Sequence, residues 1–93
     1  MARFAVLAKG TIETKKDLRE ARKSFEKLSG MFMAKDAKIL NAYAMMGKYD
    51  LLFITEAPDL STAFELTTMI GTLGTLECET YPIMPLEELY EFI

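Results

Sequence analysis

Tyrosines, carboxylates and lysines must carry any acid–base chemistry in this chain of 93 residues, because it has no histidine and a single cysteine. Ser-His-Asp and Cys-His catalysis are thereby excluded within one chain. Zinc and similar metals lose their two main ligand types, so neither a metal site nor a cofactor is expected. The residues left to weigh are Tyr43 and Asp50, with Asn41, Glu79 and Arg3, all of which should project from one face of a sheet. In a pocket closed by a second chain, a tyrosine beside a carboxylate can serve as acid and base. The alternative is architectural, with Asp50 bonding the turn backbone or pairing with a lysine or arginine. Cys78 stands between Glu77 and Glu79 and reads as a small buried apolar residue, since a reactive thiol needs an electropositive setting.

The elements that would position these residues follow from periodicity. Arg3 to Lys9 alternates as a strand, with Phe4, Val6 and Ala8 on one side and Arg3, Ala5, Leu7 and Lys9 on the other. From Lys15 to Lys35, Leu18, Ala21, Phe25, Leu28 and Phe32 recur at steps of three and four, the stripe of an amphipathic helix. Gly30 suggests a kink or an end near Ser29. Ile39–Met46 and Tyr49–Glu56 read as a hairpin around Gly47-Lys48, where a leading glycine suits a type II′ turn. Pro58 stops the second of these strands, and Asp59 or Ser61 caps a helix bearing Ala63, Leu66, Ile70 and Leu73, ended by Gly71 and Gly74. Thr75–Ile83 is a last strand, and Pro85 opens a short helix through Phe92.

The order βαββαβ with right-handed crossovers predicts an α+β, ferredoxin-like sandwich as one domain over residues 1–93, its antiparallel strands ordered 4-1-3-2 and both long helices on one face. A two-residue turn sets Met46 opposite Tyr49, Met45 opposite Asp50, Tyr43 opposite Leu52 and Asn41 opposite Ile54. Leu40, Ala42, Ala44, Met46, Leu51 and Phe53 then face the helices, with Tyr49 packed beneath them. Asn41, Tyr43, Met45, Asp50, Leu52, Ile54 and Glu56 face outward, joined by Glu77, Glu79 and Tyr81. An apolar centre with a polar border marks an interface or a binding groove.

Gly47-Lys48-Tyr49-Asp50, followed by Leu51 to Asp59, resembles the GYD domain family, small ferredoxin-like proteins named for this pattern. The run Lys38–Met46 and the segment Leu73-Gly74-Thr75 with Glu77 and Thr80 extend the resemblance over nearly the whole chain. It implies a fold related to dimeric α+β barrels, in which sheets pack together, and a structural part for Gly47, Tyr49 and Asp50. It implies no substrate.

Composition narrows the function further. With 51% hydrophobic and 27% charged residues the chain is an ordinary globular one. No apolar run is long enough to span a membrane, and Met1-Ala2-Arg3 enters strand sequence without a signal peptide, so a cytoplasmic protein is expected. All eleven Lys and Arg lie between Arg3 and Lys48, and nine of the fourteen acids lie from Asp50 onward. Such a dipolar chain reads as a solvated basic helix face complemented by the acidic half, within or between chains, or as a basic patch for an anion. The leading expectation is a homodimer or higher homo-oligomer, a small-molecule-binding or interaction module using the face of Arg3, Asn41, Tyr43, Asp50, Leu52, Ile54 and Glu79. The alternative is a small cofactor-free enzyme of the dimeric barrel type. Nucleic-acid binding is disfavoured, because the last strand carries acids where RNA-recognition modules carry basic and aromatic residues.

Overall fold

Alternation along the first strand decides where the core lies. In the computed structural model, which describes residues 2–10, 18–72 and 76–93, strand β1 (Ala2–Gly10) buries Phe4, Val6 and Ala8. Helix α1 (Leu18–Ala34), strands β2 (Lys38–Ala44) and β3 (Leu51–Ala57), helix α2 (Leu60–Thr72), strand β4 (Leu76–Ile83) and short helix α3 (Leu86–Tyr90) follow. The sheet order is β2-β3-β1-β4 with antiparallel neighbours throughout, which is the expected 4-1-3-2 order read from the opposite edge. This is a ferredoxin-like α+β arrangement. Leu28 and Phe32 of α1 and Ala63, Leu66 and Ile70 of α2 pack on the sheet face presented by Phe4, Val6, Ala8 and Phe53. Phe25 joins them with its ring centroid 5.7 Å from that of Phe53.

Local chemistry explains the helix ends. Gly30 does not end α1, which runs on to Ala34. The stop comes from a Schellman motif: the Ala37 N–H donates to the Phe32 carbonyl (2.9 Å) and the Asp36 N–H to that of Met33 (3.1 Å). Asp36 supplies the left-handed residue this requires, at φ 58°. At the start of α2, the Asp59 carboxylate accepts the Thr62 N–H at 2.7 Å, the side-chain cap anticipated from sequence. That bond holds the Asp59 carboxyl below its ordinary range. The connection through Thr11–Thr14, the start at Lys15–Asp17, and Leu73, Gly74 and Thr75 lie outside the described residues, as do the side chains of Leu18, Ala21 and Leu76.

The hairpin departs from expectation in two places. Pairing of Ala42, Tyr43 and Ala44 with Phe53, Leu52 and Leu51 keeps the predicted register, but a bulge between Ile39 and Asn41 shifts it by one. Ile39 therefore packs on the core and Leu40 is 40% exposed. Ala42, Ala44 and Met46, expected under the helices, are exposed as well. Strand β2 is the sheet edge, and the core lies over β1 and β3, so inward alternation on β2 does not by itself bring burial.

Candidate functional site

The face of the sheet opposite the helices carries an ordered grid. Register sets Tyr43, Leu52, Leu7 and Glu79 in one row and Asn41, Ile54, Ala5 and Tyr81 in the next. Arg3 and Glu56 close one end, their side chains 4.0 Å apart, and Lys9 faces Glu77 at the other. The apolar centre of Ala5, Leu7, Leu52 and Ile54 is half-buried, while Asn41, Tyr43 and Tyr81 are exposed. No described element covers it.

The loop between β2 and β3 adds a residue to this face. Regular pairing ends at Ala44 and Leu51, after which the Met45 N–H still donates to the Asp50 carbonyl at 2.7 Å. Gly47 then takes φ +145°, a conformation that side chains rarely allow. Asp50 turns toward β1: its N–H donates to the Ala8 carbonyl, and its Oδ2 accepts the Gly10 N–H, both at 2.9 Å. Pinned at these points, the loop directs the Tyr49 hydroxyl to the Glu79 carboxylate on β4. The same carboxylate accepts the Tyr81 hydroxyl through Oε2 at 2.5 Å. Lys48 Nζ lies 5.6 Å from the Tyr49 ring centroid, within cation–π range.

These contacts fix the protonation states. The hydrogen bond to Glu79, reinforced by desolvation and by the charge of that carboxylate, pushes Tyr49 up to about 12. Tyr81 is raised by its own bond to Glu79. Glu79 is lowered, first by the Tyr49 and Tyr81 hydroxyls and then by the Lys48 ammonium. Near neutral pH the cluster is one carboxylate anion held by two neutral phenols.

The site expected from sequence is thus regrouped. Tyr43 is 52% exposed on the edge strand, three strands from Glu79, or about 14 Å at the usual spacing. Asp50 is committed to the Gly10 backbone. Tyr49, expected under the helices, is on the outer face, because the Asp50 tie and the Gly47 backbone lift it out of strand alternation. Alternation along the last strand already placed Tyr81 with Glu79 on the outward face; nothing local in the sequence pointed Tyr49 or Lys48 there. Cys78 packs against the core, and burial raises its thiol, as expected for a structural cysteine.

The sequence model of the GYD domain matches residues 4–93. The chain belongs to the GYD domain family. No curated protein and no solved structure matches it. In this GYD domain the signature residues do three separate jobs: Gly47 permits the loop conformation, Asp50 ties the loop to β1, and Tyr49 reaches Glu79.

Proposed function

We propose that this GYD domain is a homo-oligomeric binding module whose outer sheet face is closed by a second copy, with a small molecule held against the Tyr49–Glu79–Tyr81 cluster. The observation that carries this reading is the uncovered face itself: a half-buried apolar centre of Leu7, Leu52 and Ile54 bordered by charged and phenolic groups. Burial of such a centre on association removes apolar surface from water, at roughly 25 cal/mol per Å². The cluster supports binding over proton transfer. General acid–base catalysis wants groups poised near the working pH, whereas Glu79 is driven down and Tyr49 up, away from neutrality. A fixed anion between two aromatic rings suits a ligand that offers a hydrogen-bond donor. The cofactor-free enzyme keeps a smaller claim, because Tyr43 is exposed and Asp50 is engaged by backbone. No helix of the described residues is long and apolar enough to cross a membrane, and a cytoplasmic setting completes the proposal.

Native mass spectrometry tests it directly. The wild-type chain should appear as a dimer or larger, and Leu52→Lys, which sets an ammonium at the apolar centre, should return it to one chain. A wild-type protein that stays monomeric at tens of micromolar, or a Leu52→Lys oligomer of unchanged mass, overturns the sheet-face reading.

A further inference from the structure

The segment after β4 is amphipathic, and its helix buries no residue against the described elements. Leu86, Leu89, Tyr90 and Ile93 recur at i, i+3, i+4 and i+7, one apolar stripe, with Glu87, Glu88 and Glu91 on the other side. All four stripe residues are at least 50% exposed, and α3 buries none of its side chains. The backbone N–H groups of Glu88, Leu89, Glu91, Phe92 and Ile93 all donate locally, to carbonyls three or four residues back. Helices this short are not stable alone in water and depend on tertiary packing.

An open groove with the complementary character lies near the segment's root. It is about 240 Å³ and runs between α2 and β4, lined by Phe4, Leu60, Phe64, Thr67, Thr80 and Pro82. Leu60 and Phe64 are 54% and 67% exposed. The Thr80 hydroxyl is buried there without a hydrogen-bond partner, a state that ordinarily calls for an incoming polar group. The segment does not occupy its own groove: its four stripe residues are exposed, and none of them lines it. Pro85 is extended at φ −55°, ψ 139°, directly after Met84 and the end of β4 at Ile83.

We propose that residues 84–93 form an exchange arm that packs on a second copy of the chain, seating Leu86, Leu89, Tyr90 and Ile93 in that copy's groove between α2 and β4. Under two-fold symmetry each copy gives its arm and receives the other's, so both apolar surfaces close together. Tyr90 brings a hydroxyl toward the unpartnered Thr80. The arm is a contact additional to the sheet-face interface, and depends on that reading only in needing a second copy.

Disulfide trapping in the full chain tests the arm. In a Cys78→Ser background, Phe64→Cys and Leu89→Cys introduce thiols at two exposed positions. Mild oxidation should double the mass on a non-reducing gel. A disulfide closed within one chain, or none at all, overturns the arm. The two proposals fail separately: loss of the sheet-face interface is read from Leu52→Lys leaving the native mass unchanged, and loss of the arm from the absence of interchain disulfide in a protein that is still dimeric.

Discussion

A carboxylate that accepts two phenolic hydroxyls has its charge stabilised in proportion to how well those protons are held, and the phenols resist ionisation for the same reason. The downward shift of Glu79 and the upward shifts of Tyr49 and Tyr81 therefore share one cause. Tyr49 gains a raised value on folding, so its contribution to stability is fully present below pH 10 and is lost as pH rises toward about 12. Glu79 has a depressed value, so its contribution is present above the ordinary carboxylate range and is lost as pH falls through the folded value. Glu79→Gln removes the charge, and phenolate absorbance in an alkaline titration should then show Tyr49 falling back toward 10, the ordinary tyrosine value. An unchanged titration would mean that Tyr49 takes its shift from elsewhere. At this scale the sequence was only partly legible. Period-two alternation placed Glu79 and Tyr81 on one face, but the position of Tyr49 depends on a bond between residues forty apart in the chain, which no local pattern encodes.

Elements were easier to read, because their signals are local and repeated. The helix stripes, the Asp59 cap and the strand order all followed from spacing and turn chemistry. The bulge at Ile39–Asn41 did not, since a single inserted residue leaves the alternation on either side intact. Gly30 gave the opposite error: a residue with low helix propensity sits within a helix held by Leu28 and Phe32, and packing overrides it. A Cβ at Gly30 would meet no atom within 4 Å. Gly30→Ala should accordingly raise unfolding free energy by about 0.4–1 kcal/mol, through reduced freedom of the unfolded chain. Urea denaturation checks this, and a lower midpoint would show that the glycine is needed where it stands.

The whole molecule resolves the uneven charge of its sequence. Basic first half and acidic second half meet inside one chain, with Lys35 Nζ in the turn after α1 lying 2.8 Å from Glu65 of α2 and Arg3 of β1 against Glu56 of β3. Such exposed pairs contribute little individually, but they show that at least part of the complementarity is internal and needs no nucleic acid. The surfaces left over are apolar: the outer sheet face, the groove beside α2, and the segment from Met84 to Ile93. The sheet face and the segment are covered by no described element, and the groove opens onto Phe4 of the core.

The tie between Asp50 and Gly10 has one more consequence, in the time domain. It joins the tip of a hairpin to the end of a strand across forty residues, so it can form only once β1 and β3 have paired, and its loss need not disturb the core. The Gly10 amide is then a reporter of a single event, the docking of the loop that carries Tyr49. Its deuterium exchange should be slow in the wild type and should speed up several-fold in Asp50→Ala while the amides of Val6 and Phe53 keep their protection. Equal rates in the two proteins would mean that the loop stays docked without its latch.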